Sequence, residues 1–189
     1  AASDKAATAP SGRAWLNVTN ENTPRELKRE TIHPEQSILS QRKDIDNYPE
    51  ITGLGEAYGK IKLYREWSIG RYTAPRLYQN SSGGNTNLDE DFNNLGLVLN
   101  RLRKDAVAKD ALLEYLHSFN GDIKDFDVDI ENGKVQIFLQ EKNEFIRATR
   151  LSDGTLRFIA LLSILFNPNP PPLVCIEEPE LSLHPYILP

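Results

Sequence analysis

The chain has 189 residues, 39% hydrophobic and 26% charged, with a formal net charge of −5. That length suits one domain with a sizeable core, and the acidic balance supplies no global electrostatic reason to bind nucleic acid. No run approaches the ~18 apolar residues of a membrane span and no signal peptide opens the chain, so no membrane partner and a cytoplasmic location are expected.

Methionine is absent throughout, position 1 included, which points to an internal fragment or to a sequence from which residues have dropped out. Residues 1–12 are Ala-rich and read as a flexible tail or expression remnant. A β-rich region is expected over 13–87, with strands around Ala14–Thr19 and Glu26–Ile32 and a turn over Asn20–Pro24. His33-Pro34 closes that unit; with no second His or Cys nearby, His33 is a surface turn residue rather than a ligand.

The run Gly53–Lys60 superficially resembles a phosphate loop. A P-loop needs glycine five residues before its Gly-Lys pair, where Leu54 stands, and a hydroxyl after the lysine, where Ile61 stands. The spacing predicts instead a helix from Pro49 to Gly59 and then a strand over Ile61–Trp67. Arg65, Arg71 and Arg76 then alternate with Tyr64, Trp67, Tyr72 and Tyr78. Such interleaving can stack on a nucleic-acid strand, but in an acidic chain a half-exposed strand with solvated charges is the reading adopted. Asn80–Asn87, with Gly83-Gly84 inside it, is expected to be a flexible loop.

A helical pair is expected over 88–120. Leu88, Phe92, Leu95, Leu99 and Leu102 recur at helical spacing, with Asp89, Glu90 and Asp91 in the first turn and Arg101, Arg103 and Lys104 in the last. Ala108, Leu112, Tyr115, Leu116 and Phe119 mark the second helix, with His117 on its surface. A β-meander is expected over 122–150: two alternating runs about Asn132-Gly133, a strong hairpin signal, and a third strand near Phe145–Thr149.

The stretch 151–185, LSDGTLRFIALLSILFNPNPPPLVCIEEPELSLHP, organises the rest. Leu156–Phe166 is apolar almost all round, broken only by Arg157 and Ser163. Ser152 or Asp153 can cap it, and Asn167-Pro168 ends it. Leu173–Ile176 suits a central parallel strand buried on both faces, which makes Cys175 a small core hydrophobe. Glu177 and Glu178 follow at its carboxyl end, where open α/β sheets place ligands. Adjacent carboxylates need a facing cation, and successive strand residues point to opposite faces. One can therefore hold Mg²⁺ through its water shell while the other polarises water, as in a Walker B site; the alternative is a solvated strand end with two surface acids. Ser152, Gly154 and the N–H groups of the helix start form a candidate anion site; taken alone, the motif reads equally as an ordinary N-capped turn.

LSDGT at 151–155 and LVCIEEPELSLHP at 173–185 together resemble the RecF/SMC-like branch of ABC ATPases, closest to bacterial predicted ATPases related to the ATPase half of OLD-type proteins. The resemblance implies an α/β fold: a partial P-loop NTPase head with a mainly parallel core sheet, an antiparallel meander and a helical insertion. It implies a homodimer closing over two ATP molecules. Leu151, Ser152, Asp153, Gly154 and Thr155 would bind nucleotide held by the partner subunit, and Glu177 would serve the Mg²⁺ position. Glu178 would be the catalytic glutamate, and His184 would lie in the D-loop at the interface.

Three departures accompany the resemblance. Asp153 and Thr155 replace the second glycine-type and glutamine positions of the usual LSGGQ, adding a negative charge near phosphate. Glu177 replaces the commoner aspartate, and no GxxxxGK[ST] is present, so Walker A is not in the chain. The implied function is ATP hydrolysis with ATP and Mg²⁺, in DNA repair or phage defence, with DNA or a companion protein as candidate partners. The alternative is a catalytically incomplete interaction module; a transporter subunit is disfavoured because no docking surface for a membrane partner is identifiable.

Overall fold

The computed structural model describes residues 14–18, 23–27, 33 and 35–180. The expected tail and the D-loop position His184 lie outside the described residues. The chain divides into two compact units at Ile61 and Lys62.

In the first unit, β1 (Ala14–Leu16) pairs antiparallel with β2 (Arg25–Leu27). The first strand stops short of its expected span, since Asn17 and Val18 are no longer paired; Thr19 and residues 28–32 lie outside the described residues. Helix α1 (Ile38–Gln41) precedes α2 (Pro49–Gly59), which Pro49 opens at a position where a missing N–H leaves nothing unsatisfied. Leu16, Val18, Leu27 and Tyr48 form a small core. The false phosphate loop is therefore helix α2, as its spacing predicts. Its middle glycine has a packing reason: a Cβ on Gly55 would stand 2.6 Å from the carbonyl oxygen of Leu39 in α1.

Among its described residues the second unit carries two sheets. β3 (Lys62–Tyr64) runs parallel to β8 (Val174–Ile176), pairing Leu63 with Cys175. β3 is shorter than its expected Ile61–Trp67 because tight turns follow: Ser68 N donates to Glu66 O and Ile69 N to Trp67 O. In the antiparallel sheet, β6 (Lys134–Glu141) is central. β5 (Ile123–Glu131) lies along one side of it, while β4 (Gln79–Asn80) and β7 (Glu144–Arg147) share the other. The β5–β6 hairpin turns through Asn132 (φ 50°) and Gly133 (φ 75°), the left-handed pair that a two-residue turn requires.

Helices α3 (Leu95–Leu102) and α4 (Ala106–Phe119) pack on this sheet, and α5 (Asp153–Leu165) packs against both of them. Their inward residues, among them Leu99, Leu112, Leu116, Leu156 and Ile159, join Val128, Val135, Ile137 and Leu139 in one core. Asp105 caps α4 by accepting from Ala108 N at 3.1 Å. Phe119 stacks on Phe158 to bind α4 to α5. His117 is exposed on α4 as expected, with Nδ1 3.2 Å from the carbonyl oxygen of Ile123.

The expected helix over 88–102 is cut to its second half. Phe92 is fully buried at φ 61°, outside the helical region, so Asp89, Glu90 and Asp91 precede α3 instead of filling its first turn. Asn94 holds the non-helical approach: its Oδ1 accepts from Asp89 N and its Nδ2 donates to the carbonyls of Gly84 and Asn87. Periodicity alone did not reveal the break, because Leu88 and Phe92 are core residues in either conformation.

Candidate nucleotide-phosphate and carboxylate site

The first half of the candidate site is the start of α5. Ser152 is its N-cap, with Oγ accepting from Thr155 N at 3.0 Å and lying 2.8 Å from Thr155 Oγ1. The N-cap bond is thus made, and the Thr155 hydroxyl meets the Ser152 hydroxyl where the usual signature has glutamine. Leu151 is buried, Ser152 and Asp153 are exposed, and Gly154 and Thr155 are half-buried. An exposed hydroxyl over a helix start with a small residue beside it suits an anion.

Asp153 does not present an isolated charge there. Its Oδ1 pairs with the guanidinium of Arg76, which also donates to the carbonyl oxygens of Leu151 and Ala148. Arg76 is only 6% exposed, so the reading of residues 65–76 as a strand with solvated charges is corrected: this arginine is structural to the turn that precedes α5. Arg71 and Tyr72 are exposed, as that reading expects. Arg76 gave no local signal, because its partners lie 72 to 77 positions further along the chain.

The second half is the carboxyl end of β8. Glu177 and Glu178 are both exposed, and Glu178 takes φ 48°, which turns the chain sharply just beyond the strand. Glu177 Oε1 lies 3.3 Å from Arg65 Nε, so a cation faces the pair, as two adjacent carboxylates require. Burial differs from expectation. Val174, Cys175 and Ile176 are half-buried, because among the described residues β8 has β3 as its one partner.

Trp67 and Arg157 link the two halves. The indole N–H of Trp67 donates to the carbonyl oxygen of Glu177 at 2.9 Å, and its ring stacks on Phe92 at 5.1 Å. Arg157, one turn into α5, sits 4.5 Å from the centre of that indole. Arg157 is 4% exposed; burial lowers its pKa, while the nearby Glu178 and Glu180 carboxylates favour its charged form. An arginine interrupting an otherwise apolar helix was the available sign that α5 faces something anionic or aromatic.

A family model described as "AAA domain, putative AbiEii toxin, Type IV TA system" matches residues 13–189. The chain belongs to that family, one of P-loop ATPase-like domains whose members generally use ATP and Mg²⁺. No curated protein and no solved structure matches it. The α/β architecture with parallel and antiparallel sheets is consistent with such a domain. Among the described residues no helix is long and apolar enough to cross a membrane.

The donor set fits a share in holding Mg²⁺. That ion keeps several waters and takes one or two carboxylates together with substrate phosphates, and Glu177 and Glu178 offer two exposed carboxylates. Among the described residues no cluster of three or more His, Cys, Asp or Glu closes a protein-only cage.

Proposed function

We propose that the chain is the signature-bearing part, over 13–189, of a RecF/SMC-like ATPase head related to OLD-type proteins, which hydrolyses ATP as a homodimer in the cytoplasm. The observation carrying this reading is the pairing of a serine-capped, exposed helix start at Ser152 with two exposed carboxylates at the end of a parallel strand. Bound Mg²⁺ would offset charge on the transferred phosphoryl group.

Glu177 would orient the metal's water shell. Glu178 Oε would accept the proton of the attacking water, and its left-handed backbone sets it apart from the direction of the strand. Ser152 Oγ and the Gly154 backbone, with Leu151, Asp153 and Thr155 shaping the turn, would meet phosphate held by the partner subunit. His184 would reach across the same interface. DNA repair or phage defence, with DNA or a companion protein as the partner sensed, follows as the biological setting.

The test is MgATP turnover by the full-length protein beside Glu178→Gln, with oligomer size measured with and without ATP. Lost turnover and an ATP-trapped dimer in the variant are expected. Equal rates would remove Glu178 as the catalytic group. No nucleotide binding in either protein would leave the interaction-module reading in place.

A further inference from the structure

We propose that Arg76 is a positioning residue that makes the aspartate of the signature turn compatible with phosphate binding, by neutralising Asp153 and holding the turn in front of α5. This deepens the ATPase reading and rests on it. Asp153 is the first residue of α5. A carboxylate there suits the helix dipole, but it also competes with an incoming phosphate for the same positive end. The side chain is 66% exposed, so its charge would act directly on a bound anion.

Arg76 answers that charge from beneath. Its guanidinium contacts Asp153 Oδ1 through one terminal nitrogen and the carbonyls of Leu151 and Ala148 through the other. The same planar group therefore fixes the direction of the carboxylate and the main chain on which Ser152 stands. Among the described residues its Nε is buried without a partner, a cost tolerated at this one position of the guanidinium. A lysine could supply the charge but not the fork. Arg76 itself is too deeply buried to be the group that meets nucleotide.

The experiment uses the full-length protein and four variants: Arg76→Met, Arg76→Lys, Asp153→Asn and the Arg76→Met/Asp153→Asn double. Arg76→Met frees the carboxylate and should raise KM for MgATP about tenfold with kcat changed far less, and added salt should shrink the defect because exposed charges are screened. The double variant should lose the salt-dependent part of the rise in KM, since neither charge remains, and keep only the smaller part due to the unheld turn. Arg76→Lys should fold and show a smaller rise in KM, since it keeps the charge and loses only the fork.

A double variant no better than Arg76→Met, or a KM defect indifferent to salt, overturns the proposal. If Arg76→Met does not fold, the Lys variant and the double decide it: a wild-type KM in Arg76→Lys, or a double that folds with KM still raised tenfold, overturns it. A wild type that turns over ATP without rescue in the double removes only this proposal. A wild type that binds no MgATP removes the ATPase reading and this proposal together.

Discussion

Trp67 donates its indole N–H to the main-chain carbonyl of Glu177 at 2.9 Å, across 110 positions of sequence. The ring is pinned on one side by Phe92 and lies against Arg157 of α5, so the strand end that carries both carboxylates is tied to the signature helix through one side chain. Trp67→Phe keeps a stacking surface and removes the donor. We expect MgATP turnover to fall several-fold while stability drops by only about 1 kcal/mol, the usual net worth of one hydrogen bond. Turnover assays paired with urea unfolding separate the two effects.

Ser152 has a capping role and a proposed phosphate role, and substitution can divide them. Ser152→Ala should cost about 1 kcal/mol of stability through the lost cap. Ser152→Asp restores a good cap but places an anion at the helix start, so it should recover the unfolding midpoint without recovering turnover. Recovery of both would leave Ser152 as a cap alone.

Gly96 lies where α3 crosses β6. An added Cβ would stand 2.7 Å from Val135 Cγ1 and 3.2 Å from Gln79 Oε1, which already accepts from Gly96 N. Gly96→Ala should therefore destabilise the protein by about 1–3 kcal/mol, the overpacking cost exceeding the gain in helix propensity. Val135→Ala in the same chain should recover part of that loss in urea unfolding.

Tyr64 is buried and donates its hydroxyl to the carbonyl oxygen of Leu88 at 2.8 Å. Burial first, then the charges of Glu90 and Asp89, raise its pKa from 10.0 to about 12. The folded state keeps this proton longer than the unfolded chain, so the contribution is fully present below pH 10 and is lost as pH rises towards 12. Melting temperature should fall over that window, and Tyr64→Phe should flatten this part of the decline while lowering stability at neutral pH.

Local signals were the legible part of this chain. Ser152 before an apolar run, Pro49 and Gly59 bracketing a helix, and Asn132-Gly133 between alternating strands each encode a boundary within a few residues. The observed elements α5, α2 and the β5–β6 hairpin follow them. The break at Phe92 was not legible, because a left-handed buried aromatic is imposed by its packing on Trp67 and Tyr64 rather than by neighbours in sequence. For the candidate site, the residues with chemistry could be named from two short motifs. Arg65, Trp67 and Arg76, which hold those motifs, were visible only as an Arg-aromatic cluster, since the motif residues they hold, Glu177 and Asp153, lie 77 or more positions further along the chain.

Glu90 Oε1 accepts the main-chain N–H of Leu63 at 3.1 Å, while Lys62 and Tyr64 on either side bond to the β8 segment. Alternation along β3 turns the Leu63 amide away from β8, so the carboxylate occupies the outer edge of the parallel sheet. With its outward strand amide already paired, that edge is disfavoured for edge-to-edge association. Among the described residues the unoccupied edge of the parallel sheet is therefore the one beside β8. A parallel strand added there would end next to Glu177 and Glu178, whereas replacing Glu90 with alanine would open the opposite side to mispairing and self-association.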